Sequence, residues 1–213
     1  MLIVHHLGKS QSERIPWLCE ELGLPYDLKV YDRDKVTMLA PPEYKALHPI
    51  GAAPVIQDGP VLLAESGAIM DYILTKYGNG ALRPGPDDAS FAPYLYWFHF
   101  SNGTLQPSMG RNMILGRLNL PTDNPVLVAM RQRMDRAFGL VDQRLGEAPY
   151  LAGDAFTAAD IISVFSLTTM RYFLPYDIGG YRNILAYLAR IAARPAYQAA
   201  MRKSDPGMGL LLR

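Results

Sequence analysis

The chain opens on an apolar run, Leu2-Ile3-Val4, of the kind that forms a buried strand. Ile15, Leu18, Cys19 and Leu22 then recur at i, i+3, i+4 and i+7, one face of an amphipathic helix. Gly23 and Pro25 follow in the order usual at a helix C-terminus. Leu28 to Tyr31 alternate apolar and polar, which predicts a second strand. Strand, helix and strand of this length make a βαβ unit, so the two strands are expected to be parallel. Residues 38–53 carry Pro41, Pro42, Pro49 and Gly51 and predict an irregular connection. Two apolar runs, 54–57 and 61–64, flank Asp58-Gly59-Pro60, a hairpin signal. Ser66 is then placed to cap a helix carrying Ile69, Ile73 and Tyr77 and stopped by Gly78.

Residues 78–90 are rich in Gly, Pro and Asp and predict a linker. Beyond them the pattern turns helical. Phe91, Leu95, Phe98 and Leu105 share one face; Leu127, Met130, Met134, Val141 and Leu145 share another. Thr157-Ala-Ala-Asp160 opens a third helix as a capping box with Asp in place of Glu, with Phe156 and Ile161 at the staple positions. Ile184, Leu188 and Ile191 mark a fourth. The expected organisation is a small α/β domain at 1–77 with the order βαβ then ββα, a linker at 78–90, and an all-helical domain at 91–213.

Composition narrows the function. Hydrophobic residues make up 49%, enough for a core in each domain. Lys and Arg number 21 against 20 Asp and Glu, a balance that argues against a dedicated nucleic-acid binder but leaves room for a local basic pocket. One cysteine excludes an internal disulfide framework. The four histidines, at 5, 6, 48 and 99, lack metal-ligand spacing, so no metal is expected. No apolar run nears the roughly 20 residues of a membrane span. The N-terminus enters a strand-like run directly, without the features of a signal peptide. A cytoplasmic protein with no membrane partner is the expectation.

Three polar segments carry candidate chemistry. Gly8-Lys-Ser-Gln-Ser-Glu-Arg14 feeds a helix N-terminus, where backbone N–H groups and the helix dipole favour an anion. Ser10 there can donate to a thiolate, and such a charge-assisted bond favours the ionised form; a serine before a helix is also an ordinary cap. In Ala53-Pro54-Val55, proline suits the first residue of a strand. A cis bond there would turn the Val55 backbone toward a peptide-like ligand. Glu65-Ser66 sets a carboxylate beside a hydroxyl at the next helix head, a pair suited to a ligand carrying both an ammonium and a carboxylate.

In order and spacing these segments resemble the glutathione S-transferase family. SQSERIPWLCEELGLPY (10–26) is similar to its first loop and helix, and HPIGAAPVIQDG (48–59) to its proline-containing hairpin. LAESGAIMDY (63–72) is similar to its glutamyl-binding segment, and AFTAAD (155–160) to its capping box. The resemblance spans nearly the whole chain. It is strongest over residues 5–77 and leans toward bacterial and fungal members with an Arg-Asp-rich segment, here 31–35. It implies an α+β thioredoxin-like N-terminal domain with a mixed four-stranded sheet, joined to an all-α domain.

The resemblance also implies roles. Ser10 would face the glutathione sulfur, with Ser12 the alternative. Ala53, Pro54 and Val55 would meet the cysteinyl part, Pro54 as a cis-proline and Val55 through its backbone. Glu65 and Ser66 would hold the γ-glutamyl amino and carboxylate groups. Relatives often carry Lys or Arg where this chain has Ala52, so the glycine carboxylate falls to Lys35, Arg33 or His48, Lys35 first. Ser at position 10 sets the chain apart from relatives that form mixed disulfides through Cys there, and Cys19 belongs to the apolar helix face. The second substrate would sit between the domains, near Phe100, Asn102, Gln106, Met109, Arg111 and Tyr172, with Asn102 where relatives tend to have Glu. The implied activity is attack of the glutathione thiolate on a small hydrophobic electrophile, with glutathione as co-substrate and a homodimer as the assembly. Glutathione-dependent peroxidase or lyase chemistry, or a non-enzymatic interaction module, are the alternatives on the same fold.

Overall fold

The apolar runs of the N-terminal third pair into one mixed sheet. Leu2–Leu7 (β1), Tyr26–Tyr31 (β2), Val55–Asp58 (β3) and Val61–Ala64 (β4) lie in the order β2-β1-β3-β4. β1 and β2 are parallel, with Leu2 opposite Tyr26 and Leu7 opposite Tyr31. The crossover between them contains Arg14–Leu22 (α1), as the βαβ pattern requires. β3 runs antiparallel to β1 and to β4. Gly59 turns the hairpin at φ 58°, where a side chain would be strained. β1 continues past Val4 because His5 and His6 are buried and their rings are hydrogen-bonded. The computed structural model describes residues 1–213, and the chain divides into two compact units.

The first unit comprises Met1–Leu82 and Ala192–Leu210. α1 ends in a Schellman motif: Gly23 is left-handed, and Leu24 N–H reaches Cys19 O at 2.9 Å. Ile15, Leu18 and Cys19 face the core, but Pro16 and Trp17 are buried as well. The second cover is Pro195–Ser204 (α9). Tyr197 packs edge-on to Trp17 with ring centroids 4.8 Å apart, and Arg194 grips the Glu21 carboxylate with two bonds of 2.7 Å. The connection at 38–53 holds a short helix, Pro42–Lys45 (α2), whose Tyr44 fills a small core with Leu7, Val55 and Ala64. Ser66–Tyr77 (α3) follows the hairpin.

The second unit comprises Arg83–Ile191 and Leu211–Arg213. It is built from Phe91–Phe100 (α4), Gln106–Leu115 (α5), Pro125–Glu147 (α6), Ala158–Leu167 (α7) and Arg182–Ala192 (α8). Every residue of α7 is buried. Thr157 and Asp160 form the expected capping box, and Asp160 also accepts from Leu151 N–H at 3.0 Å and Tyr187 O–H at 3.1 Å. A π-helical turn, Ser101–Leu105, joins α4 to α5. The Arg171 guanidinium donates to Tyr176 O, Leu211 O and Arg213 O, which ties the last residues to this unit. No helix is long and apolar enough to cross a membrane.

Candidate functional site

The loop between β1 and α1 is built from hydroxyls. Ser10 caps a one-turn 3-10 helix, Gln11–Glu13, its Oγ accepting from Ser12 N–H. The same oxygen donates to Leu7 O at 2.7 Å and lies 2.7 Å from Ser12 Oγ. Ser12 is fully enclosed, with His6 Nδ1 at 2.8 Å and Leu7 N–H donating to it at 3.1 Å. A hydroxyl with no exposed surface cannot meet a ligand, so Ser12 is set aside as the sulfur-facing residue. It stands behind Ser10.

The Ala53-Pro54 bond is cis. Val55 begins β3, whose two edges are taken: Val55 pairs with His5 on one side and Ala64 on the other. The expectation that Val55 offers its backbone to a peptide-like ligand is therefore corrected. Ala53 lies ahead of the ladder, half-buried, and its carbonyl accepts from Gln11 Nε2 at 2.9 Å. Pro54 itself is buried.

The head of α3 also differs from a simple cap. Glu65, not Ser66, occupies the cap position, at φ 72° and ψ 113°, and no side chain caps the helix. A non-glycine residue held at positive φ costs energy, and such strain gathers at functional sites. Glu65 is exposed, while Ser66 is buried and its Oγ accepts from Arg14 Nη1 at 2.9 Å. Arg14 also donates to Gln11 Oε1 at 2.9 Å. Burial pulls its guanidinium down to about 9, against the opposing pull of Glu13, so it stays charged at neutral pH. One chain of contacts, Ala53 to Gln11 to Arg14 to Ser66, thus joins the three segments. Neither Gln11 nor Arg14 stood out in the sequence. The available signal was a charged residue one turn before Leu18, on the buried face of the helix.

Lys35 is exposed in the loop after β2, where it lines a cavity of about 550 Å³ with Lys9, Arg33, Met38 and the segment 204–208. Arg33 is committed to structure: it donates to Gly8 O, Met38 O and Lys9 O. His48 is half-buried in the turn before the cis-proline, its Nδ1 accepting from Ile50 N–H at 3.3 Å. Cys19 is fully buried, and burial pushes its thiol up to about 12, which leaves it inert.

In the helical unit the candidates separate. Met109 is wholly enclosed and belongs to the core, so it lines no pocket here. Phe100 is buried, its ring 5.7 Å from Tyr96 and 5.1 Å from Trp97. Asn102 lies in the π-helical turn, a feature that often marks functional positions. Gln106 is half-buried at the start of α5, while Arg111 and Tyr172 are exposed.

A thioredoxin-like sheet with a cis-proline, an uncapped helix head beside a buried arginine, and a separate all-helical unit together define a class of protein. The glutathione S-transferase N-terminal domain matches residues 1–75, and the C-terminal domain matches residues 95–195. Glutathione S-transferase 3 of Schizosaccharomyces pombe is 33% identical over 219 residues, covering 96% of this chain and 88% of the relative. Glutathione S-transferase 1 of Saccharomyces cerevisiae is 28% identical, covering 94% of each chain. The crystal structure of a glutathione S-transferase from Actinobacillus pleuropneumoniae aligns with a TM-score of 0.89 at 33% identity, covering 96% of this chain and 93% of the other. The chain belongs to the glutathione S-transferase family. It is a glutathione transferase, with glutathione as its co-substrate.

Proposed function

We propose that glutathione lies across the three joined segments, its sulfur at Ser10, its cysteinyl backbone at Ala53 and its γ-glutamyl end at Glu65 and Ser66. The observation that carries this reading is the Gln11–Arg14 link, which fixes all three segments to one another. The residues fit the ligand chemically. Glu65 is a free-standing carboxylate for the ammonium. The uncapped first turn of α3 and the nearby Arg14 charge favour the carboxylate. Lys35 is placed on the glycine carboxylate, with His48 the alternative.

Ser10 favours the thiolate by donating to it. A free thiol ionises at about 8.5, and lowering that by two units takes about 2.7 kcal/mol of differential stabilisation. One charge-assisted bond with the dipole of the following turn and helix is of that order. The thiolate then attacks a small hydrophobic electrophile, and binding both reactants adds the advantage of proximity. Phe100, Asn102, Gln106, Arg111 and Tyr172 are the proposed electrophile contacts, and the protein is proposed to act as a cytoplasmic homodimer.

Calorimetric titration with reduced glutathione tests the site, using wild type beside a Glu65→Ala, Ser66→Ala variant. The expected result is a loss of affinity of roughly tenfold or more in the variant, with a parallel loss of conjugation to a chloronitrobenzene. Equal binding by both proteins would move the ligand elsewhere.

A further inference from the structure

Ser10 is the outer end of a hydrogen-bonded chain that runs through the first unit. Ser10 Oγ lies 2.7 Å from Ser12 Oγ, Ser12 Oγ 2.8 Å from His6 Nδ1, and His6 Nε2 2.9 Å from Asp205 Oδ2. Ser12 and His6 are fully enclosed, and Ser10 retains 5% exposure. Asp205 is anchored in turn, its other oxygen accepting from Lys9 N–H at 2.8 Å. A carboxylate only accepts, so Nε2 carries the imidazole proton and Nδ1 presents a lone pair. Ser12 O–H therefore donates to Nδ1. At rest Ser10 O–H donates to Leu7 O; turned about its Cβ–Oγ bond, it reaches the Ser12 oxygen 2.7 Å away. With Ser10 so turned, the protons of the chain point inward, from Ser10 toward His6.

We propose that this chain is a proton relay and that His6 is the final acceptor of the glutathione thiol proton. The inference rests on the reading of Ser10 as the sulfur-facing residue. Ser10 Oγ takes the proton as the S–H bond breaks, and the bonding electron pair stays on sulfur. Ser10 passes its own proton to Ser12 Oγ, and Ser12 passes its own to His6 Nδ1. Each serine loses one O–H bond and gains another, so neither ionises. The products are a thiolate and an imidazolium, and every hydroxyl now points outward. Ser10 donates to the thiolate it has made. Asp205 holds the imidazolium, as the acid of a Ser-His-Asp arrangement does. His6, Ser12 and Asp205 act through Ser10 and are positioning residues.

The charged and titratable groups around His6 come from several elements. Asp205 follows α9. Arg33 follows β2; its charge acts on Asp205, and its donors are spent on carbonyls. At the head of α1, Glu13 neighbours Arg14, whose guanidinium is turned to Ser66. On β2, the Tyr31 hydroxyl bonds His5 rather than His6.

The test reads thiolate ultraviolet absorbance against pH in the glutathione complex, together with proton release to an indicator dye on binding. Near neutral pH the wild type is expected to form thiolate while releasing clearly less than one proton per thiolate. Asp205→Asn keeps the side-chain shape and should form roughly tenfold less thiolate at that pH, a one-unit rise, with full proton release. Full release by the wild type, or an unchanged titration in Asp205→Asn, overturns the relay. Nitrogen NMR of His6 in the wild-type complex needs no substitution: an imidazolium on binding supports the relay, and a neutral ring defeats it. Ser10→Ala separates the two ideas. Wild-type thiolate in that variant removes Ser10 from the sulfur; a loss there with Asp205→Asn unaffected removes the relay alone.

Discussion

Asp58 in the first unit and Asp160 in the second are both buried carboxylates, and they lie on opposite sides of the ordinary aspartate value. Asp58 closes the hairpin. Lys76 donates to it at 2.6 Å, with Tyr77 and Tyr72 beside, and these bonds hold it down at about 2. Asp160 has only neutral donors, and burial pushes it up to about 6 in spite of them. Near solvent the Lys76 charge and the two hydroxyls outweigh a small dehydration cost at Asp58, whereas neutral dipoles offset only part of the large one at the deeply enclosed Asp160. The two units are built accordingly. The first keeps its buried ions beside counter-charges: Asp58 by Lys76, Glu21 by Arg194, Arg14 by Glu13. The second encloses a lone carboxyl in apolar packing around α7.

The comparison breaks most sharply at Asp160. Asp160→Ala removes the acceptor for Leu151 N–H, Thr157 N–H and Tyr187 O–H at once, all of them buried. Orphaned buried donors cost about 1–3 kcal/mol each, and the network acts as a unit, so a loss of about 4 kcal/mol is expected in urea unfolding. A loss below about 1 kcal/mol would mean that water replaces the carboxylate.

Arg14→Met comes next. It leaves Gln11 and Ser66 without the guanidinium that joins them. The expected outcome is a loss of about 2 kcal/mol in stability and a weakening of glutathione binding by roughly tenfold, read by unfolding and calorimetry on one preparation. Unchanged affinity would detach the glutamyl end of the site from Arg14. Asp58→Asn is the mildest substitution. Its partner Lys76 is half-exposed and solvent-screened, so the loss at neutral pH should be about 1 kcal/mol.

What was legible in the sequence follows from distance along the chain. Ser10, Pro54 and Glu65 lie in short local motifs, and the βαβ and hairpin signals needed only neighbouring residues. Ser12 could not be told from Ser10, because what separates them is enclosure by His6 and Leu7. The backbone role expected of Val55 fails because its two ladders depend on β1 and β4 together, which no local motif reports. The Arg14 bond to Ser66 spans 52 positions, and the His6 bond to Asp205 spans 199. No periodicity reports such pairs. The sequence patterns single out no element at 195–204; that the helix there covers α1 is decided by Trp17 and Glu21.

The smallest effect is the most specific. Asp160 has a folded value raised above its unfolded 3.8, so its contribution is complete below 3.8 and is lost as pH rises through about 6. Asp58 has a folded value depressed below 3.8, so its contribution is present above 3.8 and is lost as pH falls through about 2. The two carboxylates therefore give the protein opposite slopes in adjacent windows: stability rises from about 2 to 4 through Asp58 and declines from about 4 to 6 through Asp160. Unfolding free energies at several pH values should show each slope vanish with its own substitution, the lower window flattened by Asp58→Asn and the upper by Asp160→Asn. The second variant carries a neutral side chain at every pH, so it isolates ionisation from packing. If the decline between 4 and 6 persists in Asp160→Asn, another group titrates there, and burial has not raised the enclosed carboxyl of the second unit above the ordinary aspartate value.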